Sequence, residues 1–208
     1  MTATGRAIVV ATANEGKRLE YDALIPRQIT VLSLRDVAVQ FPPETADTFA
    51  GNARIKAMAA ASQSGHLVLA DDSGLEVDAL GGAPGIWSAR YAGEPACDRR
   101  NFAHLLAQLT GVPAAQRTAR FHCAIALADP TGALAEGHGT CEGMIAEAPA
   151  GHHGFGYDPV FLLPDGRTMA ELEASEKNRV SHRAVAFRTI LSQVLETLDR
   201  STSEVDQR

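Results

Sequence analysis

The run Ala7-Ile8-Val9-Val10-Ala11 leads directly into Thr12-Ala13-Asn14-Glu15-Gly16-Lys17. A short β-branched run, a turn of small and polar residues, and a helix-compatible stretch from Lys17 to Leu24 that stops before Pro26 predict strand, tight turn and helix. This unit points the backbone N–H groups of a helix start at the space beyond the strand end. The turn is therefore either an anion cradle, with Lys17 adding a whole charge to the partial charge of the helix start, or an ordinary connection. It is not a P-loop, which needs a glycine further upstream and Ser or Thr after the lysine.

The rest of the chain alternates at first and then becomes strand-rich. Ile29 to Leu34 reads as a strand, Pro42 and Pro43 mark a loop, and Thr48 to Ser64 is an Ala-rich helix with Asp47 or Thr45 as its cap. Leu67 to Ala70 is a four-residue apolar strand broken by Asp71-Asp72-Ser73-Gly74. Gly81 to Gly85 is a loop and Arg99 to Leu109 a helix. Phe121, Cys123, Ile125 and Leu127 alternate as one face of a strand. Gly137 to Gly143 predicts a strand pair with a bend, Pro149 to Pro159 a loop, and Ser181 to Leu198 a final helix. The tail over 200–208 is polar and expected to be unstructured. This order implies an α/β sheet of mixed direction. No linker separates two independent domains, so residues 1–208 are expected to form one.

Composition narrows the function. A net charge of -6 argues against a non-specific nucleic-acid binder, which needs a basic surface, but leaves room for a pocket with a few placed cations. The three cysteines are widely spaced with no C-x-x-C pair, which excludes a zinc ribbon and fits reduced thiols in a cytoplasmic protein. No apolar run approaches the roughly 20 residues of a membrane span.

Several other segments could carry chemistry. Asn52 and Lys56 share a helix face, either as a site or as a solvated surface. Asp71 and Asp72 repel each other at a strand end and point to opposite sides if the extended geometry continues. A hard cation would offset that repulsion, and Mg²⁺ favours one or two carboxylates with phosphates and water. An Asx-turn is the plainer alternative. The loop Gly151 to Pro159 places aromatics and an acid among glycines, so it can approach and stack on a flat ligand. Its His152-His153 pair lacks partners for zinc. Lys177 and Arg183 are cations near a helix start, where the dipole disfavours them unless they meet an anion.

Six blocks in order make the chain similar to the inosine triphosphate pyrophosphatase family from Val9 to about Leu191. They are Ala11 to Lys17, Glu44-Thr45 through Asn52 and Lys56, Leu69 to Leu75, Gly81 to Tyr91, Phe155 to Pro159, and Ser181-His182-Arg183. One departure is Ala13, where the family commonly has glycine. The cradle survives this if the position does not need a positive φ.

The resemblance implies an elongated mixed β-sheet flanked by helices, with two lobes, a central nucleotide cleft and a homodimer. It implies Mg²⁺-dependent cleavage of ITP, dITP and XTP between the α- and β-phosphates, giving monophosphate and pyrophosphate. Thr12, Ala13, Asn14, Glu15, Gly16, Lys17 and Lys56 are expected to bind the triphosphate. Asp72 is the expected catalytic residue, and Asp72 with Glu44 the metal ligands, with Asp71 as a weaker partner. Ser73, Phe155, Gly156, Tyr157, Asp158, Lys177, His182 and Arg183 complete the substrate site, with Phe155 stacking on the base. Arg183 is donor-only, as is a protonated His182, so they accept a 6-keto group and refuse adenine's amino group. Two other readings stand beside this one: a broader Maf-like pyrophosphatase, and a non-catalytic nucleotide-binding protein that has no need of Asp71-Asp72.

Overall fold

The computed structural model describes residues 6–132 and 134–205. The β-branched run forms β1 (Ala7–Val10), and α1 (Glu15–Leu24) follows after a turn. Helix α1 ends where the sequence requires. Ile25 is extended, as a residue before proline must be. Strand β2 is shorter than expected, Thr30–Leu32, because Ser33 caps a short helix α2 (Leu34–Val37) through a capping box with Asp36.

The Ala-rich helix α3 spans Phe49–Ser64 and stops at Gly65, which adopts φ 70°. Its cap is Thr48, whose side chain accepts from the Gly51 N–H, and not Asp47 or Thr45. Strand β3 runs Val68–Val77, so Asp71 and Asp72 lie inside a strand and not past its end. Helix α4 is Asp98–Gln108, followed by β4 (Thr118–Ala128). The glycine-rich stretch is one unbroken strand, β5 (Leu134–Ile145), and not a bent pair. Its Gly137 is explained by packing. A Cβ there would lie 2.5 Å from Thr189 Oγ1 and 2.6 Å from Ile190 Cγ2. The chain closes with β6 (Phe161–Leu162), α5 (Ala174–Val180) and α6 (His182–Val205). Of the tail expected to be unstructured, residues 200–205 instead continue α6, and 206–208 lie outside the described residues.

The sheet order is β2-β1-β3-β4-β5-β6. Strand β1 pairs in parallel with both β2 and β3, while β5 and β6 pair antiparallel, so the sheet is mixed as the element order implied. The chain forms two compact units. One comprises 6–72, 124–139 and 186–205, and the other 73–123 and 140–185. In the first, Ala53, Ala57, Ala60 and Ala61 of α3 pack on Val9, Ala11, Val68, Ala70, Ala126 and Ala128. Methyl-sized side chains on both sides bring helix and strand backbones close. In the second, the core is larger-grained, with Leu75, Leu105, Leu109, Phe121, Tyr157, Phe161 and Met169 buried together.

Candidate active site

In the first unit, β3 alternation separates the two acids, as extended geometry requires. Asp71 meets Lys17 of α1 at 3.0 Å, and Asp72 meets Asn52 and Lys56 of α3. Lys17 and Lys56 are mostly covered, with side chains 14% and 10% exposed. Lys56 Nζ lies 2.7 Å from Glu44 Oε1 and 3.7 Å from Asp72 Oδ1. Burial alone would depress the Lys56 ammonium, but Asp72, Asp71 and Glu44 outweigh it and hold the pKa above the ordinary value. For Asp72 burial wins. Its carboxyl sits above the ordinary range despite Lys56, Lys17 and the Asn52 hydrogen bond.

Two hard oxygens, from Asp72 and Glu44, therefore converge on one cationic centre. Among the described residues, no group of three or more His, Cys, Asp or Glu side chains gathers to hold a metal. Two carboxylates without a protein cage suit a small hard cation that keeps its waters and shares phosphate oxygens. The donor set fits Mg²⁺ on those terms.

The turn before α1 is built from its own polar atoms. Asn14 caps the helix, its Oδ1 accepting from the Lys17 N–H at 3.0 Å, and its N–H donates to Thr12 Oγ1 at 3.1 Å. Ala13 is not in the left-handed region, where Ala38 is the described non-glycine residue. The glycine common in related sequences is therefore dispensable here. Gly16 is a helical residue of α1, and Glu15 is held by Arg18 at 2.6 Å, which keeps its carboxyl below the ordinary range.

The second unit gathers the other expected residues around an aromatic ring. Lys177 Nζ lies 4.6 Å and the Arg183 guanidinium carbon 5.8 Å from the centre of the Phe155 ring. Lys177 is also ion-paired with Asp158, and both are buried. Asp158 Oδ2 accepts from the Phe155 N–H at 2.9 Å, so this pair shapes the loop that carries the ring. Gly154 has φ 75°, and a Cβ there would fall 2.0 Å from that carboxylate oxygen, so glycine is required. Tyr157 is buried and donates its hydroxyl to the Ser88 carbonyl at 2.8 Å, and the Gly156 N–H donates to Asp98 at 2.7 Å. His182 stacks on Phe121 with ring centres 4.8 Å apart. Arg183 is fully buried and donates to Ser73 Oγ at 2.8 Å.

Lys177 does not lie near a helix start, contrary to expectation. A separate helix, α5, ends at Val180, and Lys177 lies in its last turn, where the dipole favours a cation. Arg183 does lie in the first turn of α6.

Sequence reasoning passed over two supports. Ser88 accepts from the Leu75 N–H at 2.9 Å and donates to the Gly85 carbonyl at 2.6 Å, which explains the Gly81 to Tyr91 block as scaffolding for the Tyr157 loop. Asn101 bridges the Ala89 carbonyl and the Ala92 N–H, both at 2.9 Å. A polar residue inside an otherwise apolar helix face was the only available signal. Trp87 of the same block is 55% exposed, with Arg90 over its ring at 4.7 Å, so it is not core.

Lysines beside buried carboxylates, near a capped helix start, and a ring backed by cations place the chain among α/β enzymes that act on phosphorylated ligands. The chain belongs to the Ham1 family, whose pattern matches residues 8–193. It is 56% identical to the dITP/XTP pyrophosphatase of Geobacillus kaustophilus over 88% of this chain and 91% of that relative. It is 50% identical to the protein of the same name from Shouchella clausii, over 91% and 96%. The HAM1 protein structure from Coxiella burnetii superposes with a TM-score of 0.82 at 42% identity, covering 91% of this chain and 98% of that one.

Proposed function

We propose that this protein hydrolyses the non-standard purine nucleotides ITP, dITP and XTP to monophosphate and pyrophosphate, keeping them out of nucleic acid synthesis. The observation that carries this is the pair of lysines set against Glu44, Asp71 and Asp72 in a chain of this family. Phosphoryl chemistry depends mainly on positioning and charge neutralisation, which is what that group supplies.

Lys17 and Lys56, which lie against Asp71, Glu44 and Asp72, take the charge of the triphosphate. Asp72 orients the attacking water and accepts its proton. A carboxylate bound directly to Mg²⁺ is a weak base, so this role competes with metal binding at Asp72, and a metal that lowers the pKa of water relaxes the need for a separate base. Asp72 and Glu44 would hold Mg²⁺, which neutralises phosphate charge and lowers the pKa of a bound water. Phe155 offers a surface for the base, held from behind by Lys177 and Arg183. Arg183 is donor-only, as is a protonated His182, so together they accept a 6-keto oxygen and refuse adenine's amino group. No helix of the described residues is long and apolar enough to cross a membrane. A cytoplasmic location and a homodimer complete the reading, on the strength of the family.

Pyrophosphate release in Mg²⁺ with ITP, XTP, ATP and GTP tests this. Rapid turnover of the first two with little of the others is expected. Comparable turnover of all four, or of none, contradicts it. Adding UTP and TTP separates the broader Maf-like reading, which expects turnover of pyrimidines.

A further inference from the structure

We propose that Asn52 is a positioning residue for Asp72, fixing one carboxylate oxygen and tying the segment that carries Glu44 to it. Asn52 is 3% exposed and sits on α3, one turn before Lys56. Its Nδ2 donates to Asp72 Oδ2 at 3.1 Å, and its Oδ1 accepts from the Ala46 N–H at 3.0 Å. The orientation of this amide is settled by chemistry. A backbone N–H can only donate, so Oδ1 must face Ala46, and the NH₂ group is left for Asp72.

The consequence is a fixed geometry at two carboxylates at once. With Oδ2 held by Asn52, Asp72 Oδ1 is turned to the side of Lys56. Ala46 follows Glu44 by two residues, and Glu44 reaches the same lysine at 2.7 Å. One amide thus keeps Asp72 and the Glu44 segment in register without touching the nucleotide. A buried amide serving only the fold could bond any neighbouring backbone group. This one spends its donor on the carboxylate that the proposed chemistry uses.

The inference rests on the pyrophosphatase reading, and the experiment keeps the two apart. Wild type, Asp72→Asn, Asn52→Asp and Asn52→Leu are compared for kcat and KM with ITP, for ITP binding by calorimetry in EDTA, and for thermal midpoint. Asn52→Asp keeps the acceptor for Ala46 and loses the amide donor, whereas Asn52→Leu loses both. The expected result is a fall in kcat of about tenfold or more in both variants, with KM changed by less than about threefold. ITP binding in EDTA should persist, and the midpoint should fall more for Asn52→Leu. If both folded variants keep kcat within about twofold of wild type, the inference is overturned. It is equally overturned if binding is lost in step with kcat, since that marks general damage to the site. An inactive wild type, or an active Asp72→Asn, would overturn the underlying reading and this inference with it.

Discussion

The two units handle charge differently. In the first, Lys17 and Lys56 lie against Asp71, Asp72 and Glu44, with side chains 14% and 10% exposed. In the second, the Lys177 side chain is 7% exposed and Arg183 is fully buried, and both lie against the Phe155 ring. The first arrangement can exchange partners, because its two ammonium groups face three carboxylates that a phosphate can replace. The second spends its cations on shape. A buried ion pair contributes little net stability, but losing one partner is costly because the other charge stays buried. Lys17 and Lys56 should therefore matter chiefly for turnover, and the buried Lys177–Asp158 pair chiefly for folding.

The largest expected effect is on chemistry in the first unit. Asp72→Asn should cut turnover by about 10²–10⁴-fold, the usual contribution of a positioned base, while ITP binding stays measurable. Retained activity would break the assignment. Next comes stability in the second unit. Lys177→Met should destabilise the fold by about 3–5 kcal/mol by leaving Asp158 buried without its partner. Calorimetry of Lys177→Met and of the double variant Lys177→Met with Asp158→Asn checks this, and the double variant should recover part of the loss.

A smaller effect is expected at the ring. Phe155→Ala should raise KM for ITP by about tenfold, in line with stacking worth about 1–3 kcal/mol per base, and leave kcat nearly unchanged. An unchanged KM would remove Phe155 from the site. The smallest effect belongs to the exposed ion pair of Asp78 with Arg120 at 2.9 Å. Hydrogen bonds from Arg120 and Thr118 hold the Asp78 carboxyl below its ordinary range. A depressed folded-state pKa contributes stability above the ordinary value of about 3.9, and that stability is lost as pH falls through the folded value. Asp78→Asn should therefore lower the thermal midpoint slightly at neutral pH and flatten its dependence in the acid range. An unchanged acid limb would show that Asp78 is not the group responsible.

Much of this was legible in the sequence because it is local. The strand, turn and helix of residues 7–24 follow from β-branching, the small polar turn and Pro26, and they appear as expected except that the helix starts at Glu15, capped by Asn14, and not at Lys17. The mixed sheet followed from element order. The opposite pointing of Asp71 and Asp72 followed from strand geometry, although both acids were expected at a strand end. They are tolerated inside β3 because Lys17 and Lys56 arrive from two helices distant in sequence. Gly137 misled for a related reason. A glycine within a strand can signal a bend or a close neighbour, and only the tertiary structure brings α6 there. Asn52 was legible only as sharing a helix face with Lys56, and the roles of Asn52 and Ser88 were hidden because a hydrogen bond between residues 20 or 13 positions apart leaves no local pattern.

The most direct test of the division of labour is one ratio, kcat/KM for ITP over that for ATP, measured for wild type, Lys56→Met and His182→Ala. Lys56→Met should lower both constants by the same factor and leave the ratio intact, because it acts on the phosphates that the two nucleotides share. His182→Ala should lower the ratio, because it acts where the bases differ. A ratio that moves with Lys56 and stays constant with His182 would contradict the account.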